Sequence, residues 1–167
     1  MTIHTESETR TIRLLLVDDH EVVRVGKRTV LSRFPALEVV GEADSLASAI
    51  AEVERLSPDV VLLDIRLPDG SGFQACGRIR DLRPATRILV VTSYADDRLV
   101  LDAIAAGADG YLLKEANASG LVDAIQRVAA GQSYLDPAVT HSVMGHLKSG
   151  TEPSTSKKLD ILSAQER

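Results

Sequence analysis

Five side chains that suit phosphoryl chemistry each stand at the end of a short apolar segment of the sequence. They are Asp18, Asp19, Asp64, Thr92 and Lys114. Neighbouring carboxylates repel one another by about 4 kcal/mol per pair at about 4 Å and an effective dielectric near 20. A divalent cation with oxygen ligands relieves this repulsion, and Mg²⁺ suits a water-accessible site of this kind. The cation then lets an anionic phosphoryl donor approach a carboxylate nucleophile, so the residues predict an aspartyl phosphorylation site.

The apolar segments that precede these residues are typical of buried β-strands. They cover residues 12–17, 37–41, 59–63, 87–91 and 110–113, and each is nearly continuous in apolar residues. Strands that are buried on both faces have this pattern. Apolar residues at helical spacing lie between them, as at Leu46, Ala49, Ile50 and Val53. Five βα units result, which predicts an α/β fold with a doubly wound, five-stranded parallel sheet and helices on both faces.

This topology brings the five polar residues together. Ligands of open parallel sheets bind beyond the carboxyl ends of the strands. Since each of the five residues directly follows a predicted strand, we expect them to converge at one edge of the sheet. Lys114 would neutralise a further negative charge there, and the Thr92 hydroxyl would bond a phosphoryl oxygen.

Composition narrows the class of protein. The chain has 167 residues, 44% hydrophobic and 26% charged, which is ordinary for a globular domain. Its formal net charge of -5 provides no basic surface for nucleic acid. The one cysteine, Cys76, excludes an internal disulfide and is expected to be a core thiol. Without a signal peptide or long apolar stretch, the sequence predicts a cytoplasmic protein that does not enter membranes.

Four motifs resemble those of one family of signalling domains. They occur in order as VDDH at 17–20, LDIRLPDGSG at 63–72, VTSY at 91–94 and GADGYLLK at 107–114. Together they resemble the receiver domain of two-component response regulators of the NarL/FixJ, or LuxR-type, family. The resemblance implies a flavodoxin-like (βα)5 fold.

The resemblance also implies roles for the acidic residues. Asp64 would accept a phosphoryl group from a sensor histidine kinase. Asp18, Asp19 and Asp64 would hold Mg²⁺ together with the backbone carbonyl of Arg66, and Lys114 would contact the phosphate. No other cofactor is implied.

A switch and an output are implied as well. Thr92 and Tyr111 would form the switch pair, and an inward movement of Tyr111 on phosphorylation would change the surface near the fourth and fifth helices. Phosphorylation would then control a DNA-binding transcription regulator, with a homodimer as one possible consequence. The domain would not be an enzyme acting on other molecules, since it would catalyse only its own phosphoryl transfer and dephosphorylation.

Two other functions fit part of the pattern. A phosphohydrolase of the haloacid dehalogenase type also uses an aspartyl nucleophile, but it carries a second acid two residues later, where Arg66 stands here. A receiver-like interaction module without phosphorylation would not need the complete set of acids, Thr92 and Lys114. A phosphorylation assay separates such an interaction module from a receiver.

The sequence predicts four regions. Residues 1–10 would form a disordered extension and residues 11–131 the receiver domain, followed at 132–158 by an extra helix and a linker. Residues 159–167 resemble the start of a LuxR-type helix-turn-helix domain, with Ser163 and Glu166 as a capping box. We expect a truncated chain, in which the missing C-terminal domain and not this chain binds DNA.

Other polar residues suggest ordinary surface roles. Arg24, Lys27 and Arg28 would form a solvated basic face on the first helix, and His20 would be solvated rather than a metal ligand.

Overall fold

A computed structural model describes residues 10–94 and 96–148 of the chain. The strands are β1 (Ile12–Val17), β2 (Leu37–Ala43), β3 (Val60–Leu63), β4 (Arg66–Leu67), β5 (Gly70–Ser71), β6 (Arg87–Thr92), β7 (Gly110–Leu113) and β8 (Tyr134–Leu135). The helices are α1 (Glu21–Leu31), α2 (Leu46–Leu56), α3 (Gly72–Leu82), α4 (Asp97–Ala106), α5 (Ala118–Ala129) and α6 (Pro137–Lys148). Most of the predicted extension, part of the predicted linker and the helix-turn-helix start at 159–167 lie outside the described residues.

The main sheet is parallel and has the order β2-β1-β3-β6-β7-β8. The prediction of an α/β fold with a central parallel sheet is confirmed, but the count of five strands is wrong, because β8 adds a sixth. β8 has two residues, Tyr134 and Leu135, which is too short for a strand pattern to be visible in the sequence. A separate antiparallel pair, β4 and β5, lies in the segment after β3.

The sheet is apolar on both faces because alternate residues of each strand enter two different cores. Leu15, Val17, Val61 and Leu63 face one core, which α2, α3, α4 and the start of α6 cover. Leu14, Leu16, Val60 and Leu62 face the other, which α1 and α5 cover. This explains why the segments are continuously apolar rather than alternating. Cys76 is fully buried in the first core, as predicted.

Several strand ends differ from the predicted limits. β2 continues to Ala43, β3 begins at Val60, and β6 includes Thr92 as its last residue. Thr92 is therefore paired within the sheet, opposite Leu113 of β7, and not in a following loop. Its side chain is fully buried.

Two features hold the segment between β3 and α3 in place. The Asp69 carboxylate accepts hydrogen bonds from the backbone N–H groups of Leu46 and Ala47, the first residues of α2. Where α3 begins, a Cβ atom at Gly72 would lie 2.6 Å from the carbonyl oxygen of Asp64. Glycine at this position therefore lets the start of α3 approach the end of β3 closely.

Asp136 attaches the last helix to the sheet. Its backbone N–H donates to the Tyr111 carbonyl, and its carboxylate accepts from the N–H of Leu113 and of Ala138 at 2.9 and 2.8 Å. Asp136 therefore both hydrogen-bonds to β7 and caps the N-terminus of α6. The first turn of α6 buries Val139 completely, and α6 packs against α4.

Across residues 10–94 and 96–148, every helix is too short or too polar to cross a lipid bilayer.

We predict that Asp136→Ala destabilises the fold by about 1–3 kcal/mol, because it leaves the buried N–H of Leu113 without an acceptor. The change is measured as the free energy of unfolding in urea and as faster hydrogen exchange at Leu113. Asp123→Ala is the control, since Asp123 pairs with Arg127 on the exposed surface of α5. Equal effects of the two substitutions would contradict the role of Asp136.

Candidate functional site

Two carboxylates meet where the order of the sheet reverses. Asp18 follows β1 and Asp64 follows β3, and the two strands are neighbours, with Val17 opposite Leu63. The residue exposures are 1% for Asp18 and 4% for Asp64, whereas the side chain of Asp19 is 37% exposed. One carboxylate oxygen from each of Asp18, Asp19 and Asp64 and one ring nitrogen of His20 all lie within 4.8 Å of one another. The predicted convergence of the acids at this edge of the sheet is present.

Lys114 bridges the two buried acids. Its Nζ atom lies 2.8 Å from Oδ2 of Asp18 and donates a hydrogen bond to Oδ2 of Asp64 at 3.1 Å. Lys114 reaches this position because its N–H bonds the carbonyl of Thr92, which extends the pairing of β7 with β6 by one residue. Lys27 of α1 approaches the same Asp18 oxygen at 3.9 Å. Two ammonium groups therefore face two buried carboxylates.

The contact between Asp18 and Lys114 shifts the pKa of each group toward its ionised form. Burial alone would raise the pKa of Asp18, but Lys114 and the N–H of His20 outweigh burial and lower it. Burial alone would lower the pKa of Lys114, but the two carboxylates outweigh burial and raise it. Both partners are thus held in their ionised forms.

His20 lies at the mouth of the site. Its Nδ1 atom is 3.1 Å from an oxygen of Asp18 and 3.1 Å from an oxygen of Asp19. The side chain is 66% exposed, in agreement with the prediction of a largely solvated residue. Its contacts hold the two adjacent carboxylates toward each other.

A cavity of about 270 Å³ opens onto Asp64. Its wall includes Asp19, Asp64, Arg66 and Lys114, and Tyr94 stands beside Arg66. The Arg66 guanidinium lies 4.3 Å from the centre of the Tyr94 ring, which is the geometry of a cation–π contact. No sequence pattern predicted this pair, because Arg66 in β4 and Tyr94 after β6 are distant in the chain.

Thr92 and Tyr111 lie behind the cavity on adjacent strands. The hydroxyl of Tyr111 donates to the carbonyl of Tyr94 at 2.6 Å, and Thr92 Oγ1 accepts a long hydrogen bond from the Tyr94 N–H at 3.4 Å. Both predicted switch residues thus contact one residue, Tyr94. The Tyr111 ring is 1% exposed, so in this structure it already has the inward position that was expected only after phosphorylation.

The oxygen atoms at this site fit a hard divalent cation. Mg²⁺ is usually bound by one or two carboxylates and keeps several waters, and Asp19 and Asp64 face a water-accessible cavity. Asp18 is the most enclosed of the three acids. The carbonyl of Arg66 as a further ligand stays a prediction, as do the individual roles of the other site residues.

The prediction of a solvated basic face on α1 is wrong for two of its three members. The Arg24 side chain is 15% exposed and pairs with Glu42, and the Lys27 side chain is 12% exposed. Arg28 is 48% exposed, as expected for a surface residue. Helical spacing identified the group of charges but could not show that Lys27 turns inward to Asp18.

A family model described as the response regulator receiver domain matches residues 14–126. Among curated proteins, the chain is 44% identical over 156 residues to the DNA-binding transcriptional activator DevR/DosR of Mycobacterium tuberculosis, covering 93% of this chain and 71% of that protein. It is 36% identical over 155 residues to the response regulator protein VraR of Staphylococcus aureus, covering 91% and 74% respectively.

A similar solved structure is that of a LuxR-family two-component response regulator from Aurantimonas sp. SI85-9A1. It matches with a TM-score of 0.80 and 35% identity over 83% of this chain and 99% of that chain. The signal receiver domain of NarL from Mycobacterium tuberculosis matches with a TM-score of 0.71 and 34% identity over 74% and 99%.

We predict that ionised Asp18 stabilises the fold in the absence of metal. Because folding lowers its pKa, this contribution is present above the unfolded pKa of about 4 and is lost as the pH falls through the lower folded value. In a chelator, Asp18→Asn should therefore be less stable than the wild type at neutral pH, and the difference should shrink below about pH 4. Urea unfolding across this pH range measures it.

Asp81→Asn, which removes an exposed acid of α3, is the control for the loss of one negative charge. If Asp18→Asn were more stable than the wild type at neutral pH, repulsion among the acids would outweigh their attraction to the lysines, contrary to this prediction.

Proposed function

Because this chain belongs to the response regulator receiver domain family, in its NarL/LuxR-type branch, we propose that Asp64 is its phosphoacceptor. The protein contains the receiver domain of a two-component response regulator that regulates transcription. The observation that carries the assignment of Asp64 is its position. It directly follows β3, lines the cavity and contacts Lys114.

Asp64 is suited to nucleophilic attack on a phosphoryl group. An oxygen of its carboxylate forms a bond to phosphorus while the bond from phosphorus to the histidine nitrogen of a kinase breaks. Lys114 compensates the negative charge that arrives at Asp64, because its Nζ atom is already 3.1 Å from a carboxylate oxygen.

We propose that Asp18, Asp19 and Asp64 hold Mg²⁺, with the Arg66 carbonyl as a further ligand. The bound ion supplies positive charge that offsets the repulsion between the carboxylates and the phosphoryl oxygens. The residues of the chain contribute the rest: His20 keeps Asp18 and Asp19 together, and the Arg66–Tyr94 pair borders the entrance.

The switch would transmit phosphorylation through Tyr94. A charge-assisted hydrogen bond from the Thr92 hydroxyl to the phosphoryl group is worth about 1.5–3 kcal/mol, which changes a two-state ratio by roughly ten- to a hundredfold. Thr92 contacts Tyr94, and Tyr94 accepts the hydrogen bond of Tyr111. Burial raises the pKa of Tyr111 to about 12, so its hydroxyl remains a donor. Phosphorylation would thus favour the inward state of Tyr111.

We expect a sensor histidine kinase as phosphoryl donor, a cytoplasmic location, and DNA as the target of a C-terminal domain and not of the receiver. Phosphorylation could also promote a homodimer. The catalytic activity proposed for the receiver is limited to its own phosphoryl transfer and dephosphorylation.

A phosphohydrolase is the competing function. It would require an acid where Arg66 stands, to protonate the leaving group and activate water. Arg66 instead stacks on Tyr94 and can do neither.

We predict that incubation with a small acyl phosphate donor and Mg²⁺ adds the mass of one phosphoryl group, as detected by intact-mass spectrometry. Asp64→Asn and chelation should each abolish the gain. Asp44→Asn is the matched control, since Asp44 is an acid that follows the neighbouring strand β2 but lies on the exposed surface. Full labelling of Asp64→Asn would place the phosphoacceptor elsewhere.

We predict that Thr92→Ala still becomes phosphorylated but no longer couples phosphorylation to Tyr111, because the linking hydroxyl is lost. The Tyr111 ring signals in NMR spectra, recorded with and without beryllium fluoride and Mg²⁺, measure the coupling. Thr92→Ser keeps the hydroxyl and should respond like the wild type. A normal response of Thr92→Ala would exclude this route.

A further inference from the structure

Lys27 has an unusual environment for a lysine on the outer layer of a domain. It lies in α1 and lines a mostly apolar groove of about 290 Å³ between α1 and α5. Val30, Leu112 and Leu121 also line this groove, and Lys114 stands at its inner end. Burial lowers the pKa of Lys27 to about 8 against the opposing attraction of Asp18. A lysine side chain is seldom buried to this extent unless it is paired.

We propose that Lys27 is a positioning residue for phosphorylation, which neutralises Asp18 when Lys114 turns to the phosphoryl group on Asp64. The proposal rests on the function proposed above and adds a second lysine to the site. Lys27 acts through Asp18 and does not itself reach the cavity that opens onto Asp64.

The contacts of Asp18 give the first reason. Oδ1 of Asp18 accepts from the N–H of His20 at 2.9 Å, whereas Oδ2 faces the two ammonium groups, Lys114 at 2.8 Å and Lys27 at 3.9 Å. Asp18 is 1% exposed, so bulk water cannot replace a departing cation. Loss of a counterion from a buried carboxylate is unfavourable, and Lys27 lies close enough to Oδ2 to replace the charge of Lys114 beside the proposed Mg²⁺.

The contacts of Lys114 give the second reason. Its ammonium is shared between Asp18 and Asp64. Once Asp64 carries a phosphoryl dianion, the attraction at that end of the bridge increases and Lys114 shifts toward it. Lys27 then holds Asp18 in its position at the end of β1. The apolar groove around Lys27 strengthens this attraction, because charges interact more strongly where water is excluded.

Lys27 should have opposite effects on the two ligands of the site. Its positive charge repels Mg²⁺, so in Lys27→Met the metal alone should bind more tightly. Its positive charge favours the phosphoryl group, both directly and by releasing Lys114 from Asp18. At saturating Mg²⁺, Lys27→Met should therefore bind beryllium fluoride, an analogue of the phosphoryl group, more weakly. Damage to the fold would weaken both interactions together.

The experiment measures Mg²⁺ binding by calorimetry and beryllium fluoride binding by ¹⁹F NMR on the full chain. For Lys27→Met we expect Mg²⁺ affinity to rise and beryllium fluoride affinity to fall, each by roughly fivefold or more. Lys27→Arg keeps the charge and should move both values back toward the wild type. Arg28→Met removes the same charge from the next residue of α1, which pairs with Glu42, and should change neither value by as much as twofold.

Three outcomes would overturn the proposal. Unchanged affinities in Lys27→Met would show that Lys27 lines the groove but does not act on the site. Loss of both affinities would make its role structural, and failure of Lys27→Arg to restore them would exclude a role of its charge. A failure of the function proposed for Asp64 would be seen in a different comparison. The wild type and Asp64→Asn would then bind beryllium fluoride equally poorly, whatever the effect of Lys27→Met on Mg²⁺ binding.

Discussion

The structure depends on the neutralisation of two buried carboxylates by lysines that reach them from other elements. A parallel sheet places the ends of neighbouring strands side by side, and here two of those ends carry Asp18 and Asp64. Each acid loses its hydration at a cost of several kcal/mol, which only close, well-aligned cations offset. Lys114 provides such a cation from β7, and Lys27 provides a second one from α1. A phosphoryl group on Asp64, as proposed, would add negative charge beside these ion pairs and rearrange them.

The rest of the fold keeps this charge cluster in register. An apolar core packs against each face of the sheet, so a shift in the register of a strand would expose core residues. Asp69 and Gly72 fix the segment that follows Asp64 against α2 and against the end of β3. On the other side, Asp136 ties α6 to the strand that carries Tyr111. A change at Tyr111 therefore has a direct connection to α4 and α6.

Much of this site could be predicted from the sequence, since topology alone brings residues at strand ends together. Asp18, Asp64 and Lys114 were predicted to converge because each follows an apolar segment, and they do contact one another. What could not be predicted depends on tertiary packing. Lys27 stands next to Arg28 in the same charged group of the sequence, but Arg28 is exposed. Only the packing of α1 against α5 shows that Lys27 turns inward. β8 pairs through two residues, which leave no periodic signal, and the burial of Tyr111 depends on its tertiary contacts.

We propose that Asp64, and no other acid of the cluster, carries the phosphoryl group. Borohydride reduces an aspartyl phosphate to homoserine, so peptide mass spectrometry of phosphorylated and reduced protein identifies the modified residue. Homoserine at position 64, dependent on Mg²⁺, is the predicted result. Homoserine at position 18 or 19, with Asp64 intact, would contradict the assignment of the phosphoacceptor and with it the role proposed for Lys114.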